Sequence, residues 1–205
     1  MEIAADLVKE LRVKTGAGIM DCKEALRASN GNFDKAVDFL REKGLSAATK
    51  KSSRATKDGL IASYIHMGGK VGVMIEVNCE TDFVAKTETF KNLTRDLAMH
   101  VAAMNPLYVK PEDVPEATLQ REKDIYRKQV IAEGKPEKIA DKIVEGKLKK
   151  FYEEVCLIKQ KFIKDTNMTV EDLIKAAIAA TGENIIVKRF VRYQLGGDEA
   201  ADNAL

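Results

Sequence analysis

Residues whose side chains could carry out catalysis or hold a metal are few in this chain and far apart. His66 and His100 do not belong to any cluster of cysteines and carboxylates with metal-ligand spacing. The sequence has no nucleophile elbow, and two histidines alone do not indicate a catalytic triad. Cys22, Cys79 and Cys156 are odd in number and mostly lie in apolar patterns, which favours reduced, packed thiols over disulfides. We therefore expect no enzyme, no catalytic residue, no metal site and no cofactor.

Three Gly-Lys pairs are the candidates for phosphate binding. A Walker A loop requires a glycine five residues before the Gly-Lys pair and a serine or threonine directly after the lysine. Backbone amides and the lysine then surround the phosphates. Gly69-Lys70, Gly134-Lys135 and Gly146-Lys147 lack both features. The sequence therefore predicts no direct nucleotide binding.

The remaining chemistry is recognition, and its first candidate is a methionine. The apolar stripe of a predicted second helix consists of Ile19, Cys22, Ala25 and Leu26. Met20 lies on the opposite side of that helix and is predicted to face solvent. Lys23, three residues further, shares its edge. A methionine beside a positive charge suits adaptable contact with a partner, and an ordinary lone surface methionine gives the same pattern.

The second candidate is a phenylalanine directly behind a strand, in the stretch NCETDFVAKTETF (residues 78–90). Thr81 or Asp82 can cap a turn there, with Phe83 at the first helical position. By spacing alone, Phe83 is expected to pack back on its own helix as a hydrophobic staple. The preceding hairpin nevertheless makes this a rigidly held loop, where binding residues are often found.

The first elements that must position these residues are three short helices within residues 1–45. An amphipathic first helix ends at TGAG, residues 15–18. Asn32 is placed to cap a third helix, which we expect to end at Lys43-Gly44. These helices predict a small N-terminal bundle.

A basic stretch, residues 46–57, follows the bundle. Its Lys50, Lys51, Arg54 and Lys57 are accompanied by small polar residues and no acid, as in an exposed linker. Phosphate contact is the alternative. The chain as a whole is nearly neutral, with 34 Lys and Arg against 32 Asp and Glu. The charge excess of a dedicated nucleic-acid binder is therefore missing.

Residues 58–196 are predicted to form a core that contains strands and helices. Strands are expected at 59–67, 71–79 and 185–195, and the helices at 90–104, 116–132, 136–155 and 170–181. We predict an α+β fold with a three-stranded antiparallel sheet packed by helices. The acidic tail, residues 197–205, is expected to be disordered.

Hydropathy indicates no membrane or export segment. No apolar run approaches the roughly 18 residues needed to span a bilayer. The N-terminus lacks the basic start and apolar core of a signal peptide. We expect an unprocessed cytoplasmic protein with no membrane partner.

Two signature stretches connect these features to a known family. LVKELRVKTGAGIMDCKEAL (residues 7–26) and EVNCETDFVAKTETF (residues 76–90) resemble translation elongation factor Ts, and the similarity continues through 134–165 and 189–196. The resemblance implies a factor that binds elongation factor Tu, the GTPase that delivers aminoacyl-tRNA, and speeds release of its GDP.

The resemblance also implies roles for particular residues. The Thr81-Asp82-Phe83-Val84 turn matches the element that enters the partner, with Phe83 near the partner's magnesium and phosphate site. Ile19, Met20 and Lys23, here called the docking patch, match the surface of a ubiquitin-associated (UBA)-like bundle that packs on the GTPase. These residues are the predicted partner-binding sites.

The chain resembles the short form of the family. Longer relatives duplicate half of the core, whereas the short form pairs with a second copy to complete the interaction surface. The resemblance therefore implies a homodimer within a 2:2 complex. Such a dimer would be non-covalent, because the C-terminal strand has no cysteine. The alternatives are an RNA- or ribosome-associated translation protein that uses residues 50–57, and a ubiquitin-type adaptor based on the bundle.

Overall fold

The computed structural model describes residues 3–197, apart from the side chains of Leu45, Ala47, Glu137 and Lys138. The predicted disordered tail, except Gly197, lies outside the described residues. The helices are α1 (Ala5–Thr15), α2 (Ile19–Ala28), α3 (Phe33–Lys51), α4 (Asp82–Ala85), α5 (Glu88–Met104), α6 (Glu116–Ala132), α7 (Glu137–Val155) and α8 (Val170–Thr181). The strands are β1 (Asp58–Ile65), β2 (Val71–Cys79), β3 (Lys161–Phe162), β4 (Asp165–Thr169) and β5 (Ile185–Gln194). Short 3-10 helices span Pro111–Asp113 and Leu157–Lys159.

Within residues 3–197 the strands form two sheets, whereas the sequence predicted one. The predicted α+β fold with a three-stranded antiparallel sheet is confirmed, and its strand order is β1-β2-β5. A second, two-stranded antiparallel sheet pairs β3 with β4. Sequence patterning missed this sheet because β3 has only two residues and β4 is mostly polar, without the β-branched alternation of a half-buried strand.

The chain divides into two compact units. The first comprises Met1–Ser63, Ile75–Asp96 and Glu171–Lys188, and the second comprises Tyr64–Met74, Leu97–Val170 and Arg189–Leu205. Within the described residues, no helix combines the length and the apolar character needed to cross a membrane.

The first unit contains the predicted three-helix bundle. Gly16 ends α1 with a positive φ of 68°, which glycine adopts without steric cost. Asn32 caps α3 by accepting a hydrogen bond from the backbone N–H of Lys35. The buried core of the bundle consists of Val8, Leu11, Cys22, Ala25, Leu26, Ala36 and Leu40. Apolar periodicity predicted these helices because their packing is local.

The predicted end of α3 at Lys43-Gly44 is wrong, because this helix continues to Lys51. Gly44 is buried, and a Cβ added there would lie 3.3 Å from the Cβ of Ala179 on α8. The glycine therefore permits close helix packing instead of ending the helix. Arg41 adds an ion pair to Asp172 of α8 at 3.0 Å. Residues 46–51 are helical, while the predicted domain boundaries themselves stay a prediction.

The second unit contains the α6–α7 helical pair, whose buried core is Val130, Ala140, Val144 and Leu148. It also contains a fully buried histidine. The Nδ1 atom of His100 accepts a hydrogen bond from the backbone N–H of Ile163 at 3.3 Å. Its Nε2 therefore carries the proton and donates to Oε1 of Gln160 at 3.0 Å. This histidine joins α5 to the segment that leads into the small sheet.

Candidate functional site

The segment that follows β2, residues 80–84, is here called the Phe83 turn. Thr81 is the N-cap of α4, and its Oγ1 accepts a hydrogen bond from the backbone N–H of Val84 at 3.5 Å. Phe83 is 77% exposed, whereas Val84 is only 5% exposed. Adjacent side chains on one helical turn thus point in different directions. Val84 anchors the turn in the chain's own core, and Phe83 faces solvent.

The hydrophobic staple expected from spacing is wrong. Such a staple needs a residue further along the same helix, but α4 has only four residues. The backbone N–H of Lys86 closes this single turn on the carbonyl of Asp82 at 3.1 Å. Phe83 therefore has no second helical turn against which to pack.

Asp82 lies beside Phe83 and is exposed. Lys86, one helical turn later, donates a hydrogen bond to its carboxylate. This hydrogen bond and the attraction of the ammonium charge lower the pKa of Asp82. The exposed surface of the turn is thus an aromatic ring beside a carboxylate that stays ionised at neutral pH.

Buried groups hold the base of the turn. The thiol of Cys79 donates to the carbonyl of Thr81 at 3.1 Å. Burial, reinforced by the charge of Glu183, raises the pKa of Cys79 to about 11, so the thiol keeps its proton and remains a donor. Glu183 and Asn184 also contact the turn. Sequence reasoning did not single out these two residues, although Gly182-Glu183-Asn184 directly follows the end of α8 at Thr181.

The docking patch lies on α2 in the same compact unit. Met20 is 73% exposed, as its position opposite the apolar stripe predicted, and Lys23 is exposed. Ile19 was also expected in the buried stripe, and this is wrong, since it is 50% exposed. Ile19 is the first residue of α2, where fewer neighbouring side chains cover it. Ile19, Met20 and Lys23 therefore all have accessible surface.

A lysine from α3 fixes the charged residues next to the patch. Lys43 Nζ donates to Asp21 at 2.8 Å and to Glu24 at 2.7 Å. The hydrogen bond to Asp21, followed by that to Glu24, raises the pKa of Lys43. These ion pairs connect α2 to α3 and hold the face of α2 that carries Met20.

The other polar candidates are the histidines and the cysteines. Among residues 3–197, no group of three or more His, Cys, Asp or Glu side chains could hold a metal ion. The three cysteines are buried and free. His66 is exposed beside Tyr64, far along the sequence from the buried His100.

Comparison with known proteins decides the family. The family model described as Elongation factor TS matches residues 34–197, which include the Phe83 turn. This chain belongs to the Elongation factor Ts family. The resemblance found in the signature stretches is thereby confirmed, and family membership supports a role as a translation elongation factor.

Elongation factor Ts proteins from several bacteria match almost the whole chain. The protein of Syntrophus aciditrophicus is 69% identical over 96% of this chain and 98% of its own length. That of Desulfosudis oleivorans is 58% identical over 95% of this chain and 98% of its own length. That of a Thermoanaerobacter species is 53% identical over 98% of this chain and 99% of its own length. These alignments extend beyond the family model's match toward the N-terminal bundle.

Proposed function

We propose that this chain is the guanine-nucleotide exchange factor of elongation factor Tu. It binds the GDP-bound GTPase in the cytoplasm and promotes GDP release, without catalysing a covalent reaction and without binding nucleotide or cofactor itself. One observation carries the proposal: Phe83 is 77% exposed on a turn whose base is hydrogen-bonded into the core. An exposed ring on a fixed support suits insertion into another protein.

The mechanism follows from linkage between two binding equilibria. An exchange factor must make contacts with the nucleotide-free GTPase that are lost when GDP and Mg²⁺ are in place. Phe83 supplies such a contact by entering the gap near the magnesium and phosphate site, with Thr81 and Asp82 at the rim of that gap. Burying a phenylalanine side chain contributes about 1.5–3 kcal/mol, or about ten- to a hundredfold in an equilibrium. Phe83 alone therefore provides part of the coupling free energy between binding of the factor and binding of GDP.

The docking patch provides the second contact with the GTPase. Ile19, Met20 and Lys23 of the UBA-like bundle pack on the nucleotide domain of the GTPase, and this contact holds Phe83 at a high effective concentration near its gap. Docking sets how much of the factor is needed, whereas insertion sets how fast GDP leaves once the complex has formed.

The factor acts as a non-covalent homodimer in a 2:2 complex. A short core has one copy of the half that longer relatives duplicate, so a second chain completes the surface. Buried thiols support a non-covalent pairing, because Cys22, Cys79 and Cys156 are free and inaccessible.

Replacement of Phe83 tests the proposal. Phe83→Ala is expected to slow catalysed GDP release by about ten- to a hundredfold, because the ring's burial in the partner is lost. The fold should persist, since the side chain is exposed. The measurement is stopped-flow release of fluorescently labelled GDP from elongation factor Tu at saturating factor.

Met67→Ala is the matched control, because Met67 is an exposed apolar residue, 89% accessible, at the β1–β2 turn. This variant should exchange nucleotide at the wild-type rate. Wild-type exchange by Phe83→Ala would show that the ring is not the inserted group.

A further inference from the structure

The carboxylate of Glu183 lies at the base of the Phe83 turn, although it comes from the far end of the sequence. Its Oε2 accepts hydrogen bonds from the backbone N–H groups of Glu80 at 3.1 Å and Thr81 at 3.0 Å. Its Oε1 accepts a hydrogen bond from the hydroxyl of Thr81 at 2.6 Å. One charged side chain thus binds three donors of the turn, and hydrogen bonds to an ionised acceptor are the strong ones.

These bonds complete the partners of Thr81. Its N–H and O–H groups donate to Glu183, while its carbonyl accepts from the thiol of Cys79 at 3.1 Å and the N–H of Ala85 at 3.3 Å. Its Oγ1 also accepts from the N–H of Val84 at 3.5 Å. With every polar group of Thr81 engaged, the backbone at the start of α4 has one favoured direction. That direction determines where Phe83 points.

The contact is reciprocal between two turns. Glu80 precedes Thr81, and Asn184 follows Glu183. The Oε1 atom of Glu80 accepts a hydrogen bond from the backbone N–H of Asn184 at 2.7 Å. The side-chain amide of Asn184 in turn donates to the carbonyls of Ser52 at 3.4 Å and Arg54 at 2.9 Å. Arg54 also pairs with Glu80 at 3.5 Å. Hydrogen bonds and an ion pair therefore connect three segments: the Phe83 turn, the segment between α8 and β5, and the basic stretch at Ser52 and Arg54.

We propose that Glu183 is a positioning residue for nucleotide exchange, which holds the Phe83 turn in the conformation that inserts into the GTPase. The inference rests on the proposed function of Phe83. A turn held before binding loses little conformational freedom on insertion, whereas a loose turn must be ordered at that moment. Glu183 contacts neither the partner nor the nucleotide in this scheme, and it acts only through Phe83.

The first test removes the carboxylate. Glu183→Ala is expected to lower the maximal rate of catalysed GDP release by about tenfold, as befits the loss of hydrogen bonds to a charged group. Glu183→Gln should fall between this variant and the wild type, because its amide oxygen still accepts from the two backbone N–H groups. Glu88→Gln removes one charge at an exposed position on α5 that pairs with Lys91, and this control should leave the rate unchanged.

A double-mutant cycle separates positioning from general destabilisation. In a Phe83→Ala background, Glu183→Ala should cause no further loss of rate, because the group through which it acts is gone. If Glu183 had a structural role alone, the two losses would multiply. Multiplied losses, or wild-type exchange by Glu183→Ala, overturn the positioning role while the function of Phe83 stands. Wild-type exchange by Phe83→Ala overturns both.

Amide hydrogen exchange followed by NMR checks the geometry without the partner. The amides of Glu80 and Thr81 should lose protection in Glu183→Ala and keep part of it in Glu183→Gln. The amide of Lys91 in α5, bonded to the carbonyl of Thr87, should be unaffected. If Glu183→Ala does not fold, Glu183→Gln and its cycle with Phe83→Ala carry the test. Unchanged protection at Glu80 and Thr81 in Glu183→Ala would show that Glu183 does not hold the turn.

Discussion

The buried His100 is a residue whose titration should affect stability. Burial lowers its pKa below the ordinary histidine value of about 6.5. A proton on Nδ1 would face the N–H of Ile163, which now donates to that atom at 3.3 Å. As pH falls below about 6.5, the unfolded chain takes up the proton before the folded chain does. The stability present above that pH is then lost, by at most about 1.4 kcal/mol per pH unit for one proton.

Urea unfolding between about pH 7.5 and about pH 5.5 measures this loss. The comparison variant is His66→Gln, which replaces the exposed histidine, and its slope of stability against pH is measured beside that of the wild type. His100→Gln should flatten that slope. An unchanged slope in His100→Gln would mean that another group causes the acid sensitivity.

Residue positions were predictable where the determining contacts are close in sequence. The exposure of Met20 followed from its angle to the stripe of its own helix. The orientation of Phe83 did not, because it depends on the single-turn length of α4 and on Glu183, whose hydrogen bond to Thr81 spans 102 positions. Spacing alone therefore favoured the wrong orientation. The rigidly held loop and the family resemblance indicated an exposed ring.

At the scale of elements, α3 determines how the bundle is joined to the rest of its unit. Its continuation to Lys51 could not be predicted, because a glycine after a lysine also resembles a helix stop, and the partner of Gly44 lies on α8. The β1–β2 hairpin and α5 were predictable, since their periodicity is strong and their ends carry clear turn residues. The β3–β4 pair was missed for lack of any such pattern.

Breaking α3 should weaken docking more than insertion. Ser46→Pro removes a helical hydrogen bond and introduces a steric clash, at a cost of about 3 kcal/mol. In the proposed scheme, a broken helix prevents the docking patch from holding the Phe83 turn at a high effective concentration. The concentration of factor that gives half-maximal GDP release should rise roughly tenfold or more, while the rate at saturation changes less.

Ser46→Ala, which preserves the helix, is the matched control and should behave as the wild type. Circular dichroism and thermal unfolding of both variants verify that the chain is folded. A half-maximal concentration that is equal in Ser46→Pro and Ser46→Ala would show that continuity of α3 does not matter for exchange.

At the scale of the whole molecule, charge is nearly balanced, at a formal net +2. The basic stretch that suggested RNA binding is partly occupied within the chain, since Arg54 pairs with Glu80 at 3.5 Å. Binding to phosphates weakens steeply with salt because counterions are released. Insertion of the apolar Phe83 ring should change little with ionic strength. The sharper property to measure is the linkage between the chain's affinity for elongation factor Tu and that GTPase's affinity for GDP.

That linkage gives a prediction about the complete complex. The factor by which this chain weakens GDP binding to elongation factor Tu must equal the factor by which GDP weakens binding of the chain. Titration calorimetry on the nucleotide-free and GDP-bound GTPase measures the second factor, and GDP titrations with and without the chain measure the first. Phe83→Ala should reduce both by the same ten- to hundredfold amount, about the value of burying the ring.

Met20→Ala should behave differently from Phe83→Ala. This contrast distinguishes the contact made by the docking patch from that made by the Phe83 turn. If the docking patch contacts a surface that GDP does not alter, loss of Met20 weakens the chain's affinity for both forms of the GTPase equally. The ratio of the two affinities then stays at its wild-type value, even though each is lower. A Met20→Ala variant whose ratio falls as far as that of Phe83→Ala would place the nucleotide-sensitive contact on the bundle, and the division between docking and insertion would be wrong.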